Sequence, residues 1–200
     1  MNKFLSLTKN KIFNSEIEIN KSRFLGFAKY VETVDQAKSY VLELKKQYRD
    51  AKHVIYAYMV DGAQKSTDDG EPTGTAGRPM LEFLGHLGCN NIVVVVVRYF
   101  GGIKLGTGGL LRAYVGTAQK TIEGNLKNYE RAKLFEGEFS YADFEIFKRN
   151  LRGKNAKIVS TQFSENVKIE LVSFDEQFEK LNYVGDVFET LEDGNGNNWT

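Results

Sequence analysis

Ile92-Val93-Val94-Val95-Val96-Val97-Arg98-Tyr99-Phe100-Gly101-Gly102-Ile103-Lys104-Leu105-Gly106-Thr107-Gly108-Gly109 is the stretch on which the fold turns. Five consecutive valines have no period-2 alternation, so a strand built from them is buried on both faces; β-branching and length favour a central strand over a helix. A glycine-rich loop follows at once. Beyond it, Leu110, Leu111, Tyr114, Val115, Ala118 and Ile122 recur at three- and four-residue spacing, the signature of one helix face. Strand, Gly-rich loop and helix therefore succeed one another.

Upstream, residues 16–19 and 24–31 read as two strands joined by a turn near Asn20-Lys21. Ala37, Tyr40, Val41, Leu44 and Tyr48 predict a helix ending near Arg49, capped by Thr33 or Asp35. Val54 to Val60 returns to strand character. Residues 61–79 read as a long loop, and loops of that length are commonly functional. A short helix, 77–87 with Thr75 as N-cap, precedes the valine strand. Downstream, the pattern predicts strands at 127–134 and 135–141, a helix at 143–151 capped by Asp143, a hairpin from 157–163 and 167–174, and a helix at 175–191. The order β-α-β-β-α suits a ferredoxin-like sandwich whose last strand is not evident in the polar stretch 192–200.

The whole chain of 200 residues carries 27 Lys+Arg and 26 Asp+Glu, a formal +1. Divided at residue 128, it holds 18 basic and 12 acidic residues before the division, a net +6, and 9 and 14 after it, a net −5. Near-neutrality hides a polar molecule. A single cysteine, Cys89, excludes an intramolecular disulfide and a Cys-cluster zinc site, and two histidines, His53 and His86, leave no obvious metal set. No metal or cofactor is expected. With no signal-peptide or membrane-span pattern, a soluble cytoplasmic protein without a membrane partner is the expectation.

Two polar constellations carry the candidate chemistry. In the Gly-rich loop, Gly101, Gly102, Gly106, Gly108, Gly109 and Thr107 precede a helix, where main-chain N–H groups and the helix dipole hold anions. Gly101 to Gly106 has Walker A spacing, but position 107 is Thr instead of Lys; Gly106-Thr107-Gly108 begins G-x-G-x-x-G, but position 111 is Leu. Neither nucleotide motif is satisfied. An anion or partner site and a purely conformational need for glycine both account for the loop. The second constellation, residues 66–79, holds Asp68, Asp69 and Glu71, three carboxylates that suit either Mg²⁺ or a general base, or turn formation and helix capping. The capping reading is favoured, because the spacing does not fit an EF-hand. Cys89 with His86 makes a poor nucleophile pair, and His53 reads as a surface or strand-boundary residue. No catalytic residue stands out.

Together the two constellations are more specific than either alone. Residues 66–79 (STDDGEPTGTAGRP) and 96–114 (VVRYFGGIKLGTGGLLRAY) resemble the signature of the IMPACT/YigZ family, and residues 51–58 (AKHVIYAY) are similar to another segment of it, with Lys52 where Arg is usual and Ile55 where Cys is usual. The resemblance implies an α+β protein: an IMPACT N-terminal-like domain over 1–128, of the ribosomal protein S5 domain 2-like type, and a ferredoxin-like domain over 129–200, similar to an elongation-factor G terminal domain. It also implies a link to translation, which eukaryotic members regulate under amino-acid stress, whereas bacterial relatives lack an agreed activity and are suspected of binding nucleic acid.

The leading functional expectation is a non-enzymatic binding protein linked to translation, with RNA or a ribosome-associated protein meeting the basic first domain. Arg98, Lys104, Arg112, Lys52 and Arg78 would position phosphates, beside His53 and the loop amides, and Tyr99 and Phe100 would stack on bases. Two alternatives stand beside it: an enzyme acting on a phosphorylated small molecule or nucleotide, with the Gly-rich loop as cradle and Asp68, Asp69 or Glu71 as metal ligand or base, and a protein-interaction adaptor without direct RNA binding.

Overall fold

The computed structural model describes residues 3–152, 154–174, 178 and 180–190. The protein is α+β and divides into two compact units, one over Phe4–Lys127 and the other over Asn128–Thr200 together with Met1–Lys3. The elements of the first part of the chain run β1 (Lys3–Leu7), β2 (Ile12–Ile19), β3 (Ser22–Tyr30), α1 (Val34–Gln47), β4 (His53–Val60), β5 (Ala63–Thr67), α2 (Gly77–His86), β6 (Ile92–Tyr99) and α3 (Gly106–Ile122).

The valine strand takes the central place that its lack of alternation demands. The sheet order is β2-β3-β6-β4-β5, every neighbour antiparallel, and residues 92–97 are wholly buried. Val93, Val95 and Val97 pack with Ala37, Tyr40, Val41 and Leu44 of α1. The opposite face lies under α2 and α3. There, a Cβ on Gly26 would fall 2.0 Å from Thr121 Oγ1, so the helix sits directly on the strand backbone. Two-residue turns join β2 to β3 at Asn20-Lys21 (φ 50° and 63°) and β4 to β5 at Asp61-Gly62 (φ 46° and 78°), the left-handed pairs that right-twisted hairpins favour.

Several expectations need correcting. Residues 61–79 are not one loop: Asp61-Gly62 is a hairpin signal, and β5 follows it. β1, for which the sequence pattern carries no expectation, bonds to the segment ahead of β6 through Leu5 N–H to Gly88 O and Asn90 N–H to Leu5 O. Thr75 is not the N-cap of α2, because Ala76 takes that place and the Thr75 hydroxyl donates to Pro72 O at 2.6 Å.

In the second unit, β7 (Leu126–Phe139) is one long strand where two were expected, followed by α4 (Tyr141–Asn150), β8 (Ala156–Phe163), β9 (Val167–Ser173) and β10 (Asn182–Thr190). α4 is capped by Ser140, whose Oγ accepts from Asp143 N–H at 3.1 Å, so the expected cap, Asp143, is the reciprocating residue. The helix expected at 175–191 is corrected over residues 182–190, which form β10; residues 175–177, 179 and 191 lie outside the described residues, as does the tail 192–200. The order β10-β7-β9-β8, antiparallel throughout, gives the ferredoxin-like arrangement its fourth strand earlier in the chain than expected. Phe139, Phe144, Val167 and Ile169 form the core beneath α4.

Candidate functional site

At the end of the first sheet where β3 and β4 begin and β6 ends, the pairings His53↔Arg98 and Phe24↔Arg98 put three side chains on one face. Strand alternation decides which face. Arg98 has the parity of Val94 and Val96, so it turns inward beneath the α2/α3 layer, while Tyr99 lies with Val93, Val95 and Val97 on the α1 side.

Arg98 is accordingly only 5% exposed. Its Nη1 donates to Glu71 Oε1 at 2.5 Å, and its Nη2 approaches Ser22 Oγ at 3.5 Å. The guanidinium lies 5.3 Å from the Phe24 ring centroid and 5.6 Å from that of Phe100, and its buried Nε has no hydrogen-bond acceptor among the described residues. Glu71 Oε1 also accepts from the Tyr114 hydroxyl at 2.7 Å and has His53 Nε2 at 3.8 Å. Burial and the bond to Glu71 push the Tyr114 phenol well above the ordinary tyrosine range. Of the two places expected for His53, it takes the strand boundary, opening β4, and not the surface: it is buried, and its Nδ1 lies 2.7 Å from Asp69 O, an acceptor, so Nδ1 carries the proton.

The acidic loop is built by its own carboxylates. Glu71 N–H donates to Asp68 O at 2.8 Å, closing a four-residue turn whose centre, Asp69-Gly70, has φ 39° and 86°. Asp68 accepts from Gly74, Ala76 and Gly77 N–H and so caps α2, the capping role foreseen for these carboxylates. Asp69 accepts from Val54 N–H through Oδ2 and pairs with Lys45 through Oδ1. Both carboxylates thus have both oxygens bonded within the protein. Among the described residues, no group of three or more His, Cys, Asp or Glu is arranged to hold a metal ion.

The Gly-rich loop divides into two parts. Gly101 is pressed against the β2–β3 turn, where a Cβ would meet Lys21 C at 2.0 Å, and its N–H donates to Ser22 Oγ at 3.1 Å. Gly102 and Gly106 have φ 86° and 68° and face open space. Gly108 and Gly109 lie in the first turn of α3, whose N-terminus has no side-chain cap. Lys104, Thr107 and Arg112 are exposed, as are Phe100 (45%), Ile103 (45%) and Leu111 (42%). Lys52 is exposed and holds its ammonium 5.4 Å from the Phe100 ring. Tyr99 is half-buried and donates to Asp50, and Arg78 pairs with Glu82 on the exposed face of α2.

The expected basic set therefore separates. Lys52, Lys104, Arg112 and Arg78 stay on the surface, whereas Arg98 and His53 go inside. Of the two residues that complete the buried network, Ser22 lies outside every motif quoted above, and Tyr114 closes the 96–114 stretch but reads there only as one position of an apolar helix face; strand parity for Arg98 is the readable signal that it needs buried partners.

Cys89 is buried, and loss of solvent pushes its thiol up to about 11, while Tyr40, buried on the sheet-facing side of α1, is pushed up to about 12. Both groups hold protons more tightly folded than unfolded. Their contribution is complete below the ordinary thiol and phenol values and is lost as pH rises toward 11–12. Stability falling steeply above about pH 9 in urea titrations is expected; a flat profile to pH 11 contradicts it.

The family model for the Impact N-terminal domain matches residues 20–122. The chain is 40% identical over 161 residues to the IMPACT family member YvyE of Bacillus subtilis, covering 78% of this chain and 73% of that protein. It is 43% identical over 110 residues to the IMPACT family member YigZ of Escherichia coli, covering 52% and 54%. A crystal structure described as that of a hypothetical protein aligns with a TM-score of 0.62 at 30% identity, covering 86% of both chains. The matched domain contains every residue of the buried network and of the Gly-rich loop, and on these matches the chain belongs to the IMPACT family.

Proposed function

We propose that this chain is a non-enzymatic binding protein linked to translation, and that it contacts single-stranded RNA through the exposed Gly-rich end of its first unit. The observation that carries the reading is Phe100: a large aromatic ring, 45% exposed, beside the ammonium of Lys52, on a loop bearing exposed Lys104 and leading to Arg112. An exposed ring among cations is a stacking platform for bases with phosphate contacts around it. The net +6 of residues 1–128 gives that surface the sign a polyanion needs. Bonding of Asp68 to main-chain amides at the start of α2, and of Asp69 to Lys45 and the Val54 amide, supports a binding role over metal-assisted chemistry. Membership of the IMPACT family supports the link to translation.

Titration of a fluorescent single-stranded RNA at several salt concentrations tests it. Affinity should fall as salt rises, Lys104→Ala should lower the salt slope by about one, and Phe100→Ala should cost about 1–3 kcal/mol, the worth of one stacked base. Absence of binding at low salt, or an affinity indifferent to Phe100, overturns the reading in favour of a protein partner.

A further inference from the structure

We propose that Glu71, although acidic, is a positioning residue of the RNA-facing surface, so that removing its negative charge weakens RNA binding. The affinity half of this inference rests on the RNA reading above; the positional half does not.

The chain of contacts runs from the acidic loop to the Gly-rich loop through the protein interior. Glu71 is fixed by its own main chain, donating to Asp68 O, and by the Tyr114 hydroxyl from α3. Its Oε1 takes Arg98 Nη1 at 2.5 Å and so sets which way the planar fork turns. From that orientation the guanidinium makes two further approaches. Nη2 faces Ser22 Oγ, the same oxygen that accepts the Gly101 N–H, and the guanidinium carbon lies against the Phe100 ring. Gly101 and Phe100 are the residues from which the exposed loop departs. Two sequence constellations 30 residues apart, Glu71 and Gly101, are therefore one device: the carboxylate orients a buried cation, and the cation seats the loop.

Coulomb's law alone makes a different forecast. Removing a carboxylate from a protein that binds a polyanion raises affinity or leaves it unchanged, the more so at low salt. Positioning reverses the sign, which separates the two accounts.

The test uses the full chain with two readouts. By NMR, Glu71→Gln should speed amide exchange at Gly101 by about tenfold, a local opening, with the amides of Val94 and Val96 unchanged. In the RNA titration, the same variant should bind about tenfold more weakly, within the span usual for coupled sites. RNA binding equal to or tighter than that of the unsubstituted protein overturns the proposal, as does Gly101 exchange that rises only in step with the valines. If Glu71→Gln does not fold, Tyr114→Phe removes one of the two bonds to Oε1 and should shift both readouts the same way by less. The double variant Glu71→Leu, Arg98→Met then distinguishes support from positioning. Replacing a buried ion pair by apolar groups of similar volume restores packing, so melting should recover while Gly101 exchange stays fast and RNA binding stays weak. Recovery of all three means the pair is structural only and the proposal falls. If the unsubstituted protein binds no RNA, the RNA reading fails alone, and Gly101 exchange still decides whether Glu71 seats the loop.

Discussion

Arg98→Met lowers the stability of the first unit by about 3–5 kcal/mol, the cost of breaking a buried ion pair from one side. The expectation follows from what the substitution leaves behind. Methionine fills much of the volume between the Phe24 and Phe100 rings, so little of the loss is packing. Glu71 is the difficulty. Its carboxylate is buried, with a side-chain exposure of 5%, and without Arg98 its remaining bond is that from Tyr114, with His53 Nε2 at 3.8 Å. A carboxylate so placed loses its close cation and gains no bond in exchange, which is costly for a buried charge. Arg98→Lys should fall between, because an ammonium keeps the charge but cannot bond Glu71 and face Ser22 in one plane. Thermal unfolding should show Arg98→Met melting roughly 6–20 °C lower, given 2–4 °C per kcal/mol for chains of this size. Melting within a degree or two of the unsubstituted protein would mean that the ion pair is solvated and the network is not buried.

That network also marks how far the sequence could be read. The valine strand announced its own burial and central position, because six apolar residues without alternation leave no solvent face. The same logic extends one residue further: Arg98 continues the parity of Val94 and Val96, and a charged residue at that position must find a buried partner. Arg98 is therefore not the surface phosphate contact that its place beside the Gly-rich loop suggests. The partner itself was not legible, since Glu71 lies 27 residues away and reaches Arg98 only because the Asp69-Gly70 turn folds the loop back over β4. Asp-Gly is a readable turn signal at both 61–62 and 69–70, and it accounts for the β4–β5 hairpin and for the compact loop. β10 was lost for another reason. Spaced apolar residues at Phe178, Leu181 and Val184 mimic a helix face, whereas Tyr183, Val187 and Phe188 are strand formers whose state is decided by the open edge of β7.

Gly101→Ala is expected to cost about 3 kcal/mol, at the upper end for overpacking, and more than Gly102→Ala, although Gly102 is the one with positive φ. The two glycines are needed for different reasons. At Gly102, φ is 86° and an added Cβ meets nothing within 4 Å among the described residues, so the cost is the backbone's alone, about 1–2 kcal/mol for an L-residue held left-handed. At Gly101 the backbone is ordinary and the space is absent: a Cβ would stand 2.0 Å from Lys21 C, 2.1 Å from Lys21 O and 2.3 Å from Ser22 N. These are main-chain atoms, and they cannot swing aside as a side chain does. Nor can the turn yield cheaply, because Asn20 and Lys21 already occupy left-handed conformations and β2 and β3 are paired along their full length up to it. The loop must therefore lift, breaking the Gly101 bond to Ser22 and parting Phe100 from Arg98. Urea unfolding gives the ranking of the two alanine variants, and equal costs would mean that the loop is not seated on the turn. RNA titration gives the consequence: lifting the loop displaces Phe100 while every surface cation remains, so Gly101→Ala should weaken binding as Glu71→Gln does with its salt slope preserved, a pattern that loss of a phosphate contact cannot produce.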